Sequence, residues 1–183
     1  YQFSGLAAGT YSVCQPEQPA GTVNGQTLAG GIVAVNGSSG TPGTGSNPSA
    51  TSSRIAGIVL KGDGTGGAVS GSRGNDFTEY QPLRISGQVF LDSNENGRPD
   101  GGEPGIAGQT ILLSGTDLLG QPVSRRTQTD ASGHFEFAGL LPGDYTLTQP
   151  DQPAGTQNGQ TTAGSAGGTA TPLSTTPSAI SHI

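Results

Sequence analysis

The hydrophobic positions of this chain fall in short alternating runs separated by turn-forming residues, which is the two-residue period of β-strands. Ile85 to Leu91, Ile-Ser-Gly-Gln-Val-Phe-Leu, is β-branched and aromatic and predicts a first strand. Gln109 to Ser114 predicts a second, Asp117 to Pro122 a loop, and Val123 to Thr129 a polar, half-exposed strand. After the turn Asp130-Ala-Ser-Gly133, Phe135 and Phe137 are expected on one face of a strand and His134 and Glu136 on the other. Gly139 to Gly143 reads as a turn into Tyr145 to Thr148, with Tyr145 and Leu147 sharing a face. Gln149 to Gly155, punctuated by prolines, suits an edge or a crossing between sheets. One hydrophobic face per strand makes the expected fold class all-β, a β-sandwich of the immunoglobulin-like kind.

An internal repeat organises these runs. Tyr1 to Gly30 aligns without a gap to Phe135 to Gly164, with 18 of 30 positions identical at an offset of 134. Past Gly30 the copies drift in length, and Ile55-Ala-Gly-Ile58 then lines up with Ile180-Ser-His-Ile183 at an offset of 125. A period above 100 residues is too long for a solenoid unit and fits tandem complete domains. The first copy starts in its middle and the second stops before its end. Residues 1–82 are therefore expected to be the C-terminal part of one repeat and 83–183 the N-terminal and middle part of the next, a truncated repeat at each end, with Gln81-Pro-Leu83 as the junction. Such a chain is either a window of a longer array or a subunit whose neighbours complete it. In both cases the expected partners are neighbouring repeats or identical chains in a fibre, joined in the second case by strand complementation, because unfinished sheets invite pairing.

Between the first two predicted strands of the second copy lies Asp92-Ser-Asn-Glu-Asn-Gly-Arg-Pro-Asp-Gly-Gly-Glu103. Counting from Asp92, oxygen-bearing groups stand at positions one, three, five, seven, nine and twelve of a calcium loop: Asp92, Asn94, Asn96, the main-chain carbonyl of Arg98, Asp100 and Glu103, with Gly97 at the sharp turn. Ca2+ is the expected cofactor, since a hard cation takes six to eight oxygens at about 2.3–2.6 Å. An EF-hand would need helices on both sides, and the strand before the loop and Glu103-Pro-Gly105 after it refuse them. Pro99 at the eighth position is also foreign to that motif.

Composition narrows the function classes. With 33 glycines, 13 prolines and only 30% apolar and 11% charged residues, composition alone would suggest a low-complexity chain, and the recurring strand pattern overrides it. A net charge of -6 with seven basic residues leaves no electrostatic footprint for nucleic acid or anionic membranes. No apolar run is long enough to cross a bilayer, and the N-terminus starts in mid-pattern without a signal peptide. Cys14 stands alone, which excludes an internal disulfide or a cysteine-based metal site, and it reads as a small half-buried strand residue. Gly37 to Ser53 reads as an exposed loop, and Asn36-Gly-Ser38 fits a glycosylation acceptor, although a loop asparagine is the default. Sparse lysine, no Met or Trp, and abundant Ser, Thr, Gly and Asn suit an extracellular surface protein.

The segments Ile85 to Asp92, the Asp92 to Glu103 loop, Gly105-Ile-Ala-Gly108, Thr129-Asp-Ala-Ser-Gly133 and Phe135 to Leu147 together resemble the B-type repeat of serine-aspartate repeat proteins, the SdrD B-like group, which is related to the collagen-adhesin B-type (Cna B) domains. The resemblance covers nearly all of 85–183 and, through the repeat, 1–82. It implies a prealbumin-like β-sandwich, tandem occurrence in stalks of bacterial surface proteins, and bound calcium that stiffens the rod. By position, the implied ligands are Asp92, Asn94, Asn96, Asp100 and Glu103. Many Cna B-type domains carry a Lys-to-Asn isopeptide bond assisted by an acidic residue. Residues 85–183 contain no lysine, and Gln149, like Gln15 in the first copy, stands where the assisting glutamate belongs, so the second copy cannot form that bond. Lys61 is the chain's one lysine and reads as an ordinary exposed residue.

A structural, calcium-stabilised repeat of an extracellular bacterial stalk or filament is thus the leading expectation. The alternative is a ligand-binding adhesin module using loops at 37–53 or 114–122. An enzyme is not expected: His134 is assigned to an outward strand face, His182 to a frayed end and Ser132 to a turn, with no nucleophile motif or phosphate loop.

Overall fold

The computed structural model describes residues 1–34, 40–49, 52–64, 70–172 and 177–183, and these contain strands, turns and coil but no helix. The all-β expectation therefore holds for the described residues. The chain divides into two compact units, Tyr1–Gln81 and Pro82–Ile183.

The first unit contains β1 (Gly9–Gln15), β2 (Val23–Leu28), β3 (Gly31–Val33), β4 (Gly40–Thr41), β5 (Thr44–Ser49), β6 (Ser52–Leu60), β7 (Gly71–Arg73) and β8 (Asp76–Tyr80). β6 is its axis, antiparallel to β1 on one side and to β4 and β5 on the other, while β2 pairs with β8 and β3 with β7. Ile55 and Ile58 are both buried although strict alternation would put them on opposite faces. A register shift opposite Tyr11 and Val13 absorbs one residue of β6, and Gly57 supplies the left-handed φ of 74° at that bulge. Ile55, Ile58 and Leu60 thereby form a core against which Tyr11, Val13, Ile32 and Phe77 pack.

The second unit contains β9 (Leu83–Gln88), β10 (Thr110–Asp117), β11 (Pro122–Gln128), β12 (His134–Leu140), β13 (Gly143–Gln149), β14 (Thr169–Ala170) and β15 (Ser178–Ser181). One sheet has the order β11-β10-β13-β15-β14 and a second consists of β12 and β9. Ile111 and Leu113 from β10 and Tyr145 and Leu147 from β13 meet Phe137 and Leu140 from β12 in one core, the arrangement of a β-sandwich. Phe135 packs on Phe137 with ring centroids 6.3 Å apart.

The two units share internal contacts at equivalent positions of the repeat. β1 and β13 begin and end 134 residues apart, and Val13↔Ile55 and Gln15↔Ser53 in the first unit match Leu147↔Ile180 and Gln149↔Ser178 in the second. The Tyr11 hydroxyl donates to the Ala7 carbonyl at 2.7 Å, and the Tyr145 hydroxyl donates to that of Leu141 at 2.8 Å. The Ser53 hydroxyl donates to Asn24 Oδ1 at 2.8 Å, and the Ser178 hydroxyl to Asn158 Oδ1 at 2.9 Å. These serines and Asn24 are buried, so the bonds offset a desolvation cost of about 1–3 kcal/mol per unpaired group.

Several expectations are corrected. The 37–53 tract is not wholly loop, because β4 and β5 pair there with β6. Its glycines carry no side-chain alternation to read, yet they permit close packing, since a Cβ on Gly45 would collide with the Thr27 carbonyl and one on Gly40 with that of Val59. The 114–122 loop shrinks to a turn at Leu118–Gly120 because β10 continues through Asp117, whose carboxylate accepts the Leu119 and Gln121 N–H groups at 2.9 Å. Cys14 is exposed rather than half-buried, since Val13 takes the inward position. His182 is not at a frayed end: Ile183 exchanges both backbone bonds with Tyr145 and packs on the core. Asn36 lies outside the described residues.

Leu113 is 1% exposed and its neighbour Leu112 is 36% exposed. Urea unfolding should show Leu113→Ala losing about 2–5 kcal/mol, whereas Leu112→Ala should stay within about 0.5 kcal/mol of the parent.

Candidate functional site

The loop from Asp92 to Glu103 is built on a backbone neck. The Leu91 N–H donates to the Pro104 carbonyl at 3.0 Å, Ile106 N–H to the Val89 carbonyl at 2.8 Å, and Phe90 bridges Gly105. This neck also corrects the first predicted strand: β9 stops at Gln88, and from Val89 the chain leaves β12 to pair with the segment that returns from the loop. The switch is enforced by a tight contact. Val89 N–H donates to the Gly133 carbonyl at 2.9 Å, and a Cβ on Gly105 would collide with the Ser132 carbonyl. Buried Thr129 ties the neck to β10, its hydroxyl donating to the Ile106 carbonyl at 2.7 Å and accepting the Gln109 N–H at 2.8 Å.

The neck brings the first and twelfth positions together. Glu103 Oε1 accepts the Ser93 N–H at 2.9 Å, and its Oε2 accepts the Asp100 N–H at 3.1 Å. Asp92 receives the Asn96 and Gly97 N–H groups on separate oxygens at 3.1 and 2.8 Å. Asn94 Oδ1 also accepts from Asn96 N–H at 3.1 Å, and Asn96 Oδ1 accepts from Arg98 N–H at 2.7 Å. The Nδ2 groups of Asn94 and Asn96 both donate to Asp100 Oδ2, at 3.0 and 2.6 Å. Asp92, Asn94, Asn96, Asp100 and Glu103 thus belong to one hydrogen-bonded ring, and Arg98 joins it through its N–H. Gly97 adopts φ 70° as the turn demands, and Glu95, unusually for a side-chain-bearing residue, adopts φ 60°.

The donor chemistry fits a hard cation, because all five side chains offer oxygen and none offers thiolate or imidazole. Among the described residues no three His, Cys, Asp or Glu side chains are gathered into a metal-holding group. The carboxylates of Asp92 and Glu103 accept backbone N–H groups and that of Asp100 accepts the two side-chain amides, so a cation bound here would have to replace the amide contacts on Asp100. Those contacts also set the charge of Asp100. Hydrogen bonds from Asn94 foremost and then Asn96 hold its carboxyl below the usual value, against a smaller loss of hydration and with some help from Arg98.

Two residues beyond the sequence pattern touch the loop. A Cβ on Gly97 would lie 2.5 Å from Gln160 Oε1, and the Thr162 hydroxyl donates to the Gly97 carbonyl at 3.4 Å. They lie more than 60 residues along the chain, where no spacing rule reaches. The other residues weighed for chemistry have structural surroundings. Asp130 Oδ1 accepts the Ser132 and His134 N–H groups at 2.8 and 3.0 Å, which shapes the turn, while the His182 ring meets Asp144 at 3.2 Å on the surface. Lys61 is exposed.

The family model for the SdrD B-like domain matches residues 83–179. Serine-aspartate repeat-containing protein C of Staphylococcus aureus is 32% identical over 163 residues, covering 88% of this chain and 15% of that protein. Serine-aspartate repeat-containing protein F of Staphylococcus epidermidis is 39% identical over 69 residues, 37% of this chain and 4% of its own length. Colossin-A of Dictyostelium discoideum is 41% identical over 69 residues, 36% of this chain and 1% of its own length. The chain therefore spans a small part of each of these relatives.

Because its folded pKa is depressed, Asp100 contributes stability that is present above its unfolded pKa and is lost as pH falls through the folded value. A carboxyl carbon NMR titration without calcium should place the Asp100 midpoint below the ordinary aspartate range. Replacing both Asn94 and Asn96 by Ala should raise it, and an unmoved midpoint would contradict the ring of hydrogen bonds.

Proposed function

Since the chain belongs to the SdrD B-like domain family, we propose that it is a calcium-stabilised structural module of an extracellular stalk or filament at a bacterial surface. The observation that carries this reading is that five oxygen-bearing side chains at calcium-loop spacing are linked by hydrogen bonds within one twelve-residue loop whose ends are held by a backbone neck. Asp92, Asn94, Asn96, Asp100 and Glu103 would hold the ion, with the Arg98 carbonyl as a further oxygen. The cation would supply positive charge to three carboxylates that otherwise rely on N–H groups alone.

The purpose of such a site is mechanical. The loop joins β9 to β10, and a bound ion would cross-link the chain between the two sheets of the second unit. Because calcium binds the folded loop and not the unfolded chain, a hundredfold excess over the dissociation constant would add about 2.7 kcal/mol. Two amides in the ligand set, and the need to displace them from Asp100, favour an affinity around 10⁻⁴ M, the range of extracellular modules.

The shared strand registers and the Tyr11 and Tyr145 bonds support reading residues 1–82 and 83–183 as parts of consecutive B-type repeats. The similarity to staphylococcal serine-aspartate repeat proteins favours the bacterial surface as the setting, and the repeat favours service as a spacer over recognition of a ligand.

Calorimetric melting of the full chain should rise on adding millimolar Ca2+ to chelated protein, and titration should give one site. Glu103→Gln and Asp92→Asn should each weaken binding at least several-fold while leaving the chelated melting temperature close to that of the parent. Identical melting with calcium and with chelator would defeat the proposal.

A further inference from the structure

The chain contains four Asn-Gly pairs, beginning at Asn24, Asn36, Asn96 and Asn158. An asparagine followed by glycine can close an imide ring on itself, because no side chain keeps the next backbone nitrogen away from its Cγ. Of the three pairs within the described residues, Asn96 alone is exposed to the water that such a reaction consumes. Asn24 is 8% exposed and lies in β2, where its Nδ2 donates to the Ser52 carbonyl at 3.2 Å and its Oδ1 accepts the Ser53 hydroxyl. Asn158 is half-buried, and its Oδ1 accepts the Ser178 hydroxyl at 2.9 Å.

The loop surrounds the Asn96 amide with the groups that ring closure uses. The nucleophile is the backbone nitrogen of Gly97, whose hydrogen is donated to Asp92 Oδ2 at 2.8 Å, so a carboxylate is in place to receive the proton. Asn96 Oδ1 accepts the Arg98 N–H at 2.7 Å, which aims a donor at the oxygen that turns negative as the ring closes. Asn96 Nδ2, the nitrogen that departs, donates to Asp100 Oδ2 at 2.6 Å. A donor facing one amide atom and a carboxylate facing the other fix which is oxygen and which nitrogen. Gly97 itself, at φ 70°, is in the left-handed region that favours glycine.

We infer that Asn96 is a self-modification site at which the loop promotes its own loss of ammonia. The Gly97 nitrogen attacks Asn96 Cγ, the N–Cγ bond forms and the Cγ–Nδ2 bond breaks. The Gly97 proton passes to Asp92, and one proton in exchange leaves with Nδ2 as ammonia, so no oxidant or reductant is needed. Water then adds to one of the two imide carbonyls. Addition at Cγ gives aspartate, and addition at the main-chain carbonyl gives isoaspartate, whose backbone runs through the former side chain. This chemistry stands apart from the cation; its consequence rests on the calcium site proposed above. Aspartate at the fifth position adds ligand charge and tightens the site. Isoaspartate lengthens the backbone between the fifth and twelfth positions and spoils their spacing.

The full chain would be aged in chelator in weakly alkaline buffer, and peptide mapping with synthetic aspartyl and isoaspartyl standards would follow each asparagine separately. Asn96 should convert several-fold faster than Asn24 and Asn158, with release of ammonia. Asp92→Asn keeps an acceptor for the Gly97 N–H but removes the base, and it should slow conversion at Asn96 about tenfold while leaving that at Asn158 unchanged. Conversion at Asn96 no faster than at the other two, or a rate that Asp92→Asn leaves unaltered, would overturn the proposal. Saturating Ca2+ should slow the reaction by engaging the Asp92 and Asn96 oxygens. Conversion that depends on Asp92 and ignores calcium would support the modification site and count against calcium at this loop, so the two readings fail separately.

Discussion

The twelve-residue loop keeps its shape because the backbone on either side of it is zipped together, Leu91 to Pro104 and Ile106 to Val89. Asp92 and Glu103 are eleven positions apart, and closing such a span costs conformational entropy that a few exposed side-chain bonds would not repay. The neck meets that cost in backbone hydrogen bonds and leaves the side chains to arrange the interior of the loop. The neck is held in turn by the turn at 130–133 and by Thr129, both anchored next to strands of the core. A disturbance at Gly105 or Gly133, where backbones touch, would therefore reach the carboxylates without any change to them.

This hierarchy explains how an exposed polar loop can hold a defined shape. Asp92 and Glu103 accept backbone N–H groups while Asp100 accepts the side-chain amides of Asn94 and Asn96, so each carboxylate has donors of its own. If calcium binds here as proposed, the amides would have to leave Asp100.

Side-chain alternation made β10, β12 and β13 legible in the sequence, with Phe137, Tyr145 and Leu147 where the period of two put them. Where backbone contacts decide, it failed. Glycine-rich β4 and β5 look like loop because nothing alternates in them, and the bulge at Gly57 puts Ile55 and Ile58 on one face against the period. The loop residues could be picked out because their spacing is local. Gln160 and Thr162 could not, since their place beside Gly97 is a product of the whole second unit. The repeat was the most informative long-range signal: it aligned Tyr11 with Tyr145 and Ser53 with Ser178, and the structure gives each pair the same bonds.

Native-state amide hydrogen exchange on the full chain, with calcium and with chelator, tests most directly whether an ion on this loop braces the second unit. The account predicts that calcium slows exchange at Asn96, Gly97 and Arg98 within the loop and at Leu91 and Ile106 in the neck, while amides of β6 in the first unit are unchanged. Exchange that is the same in both conditions, or that slows equally in both units, would contradict it.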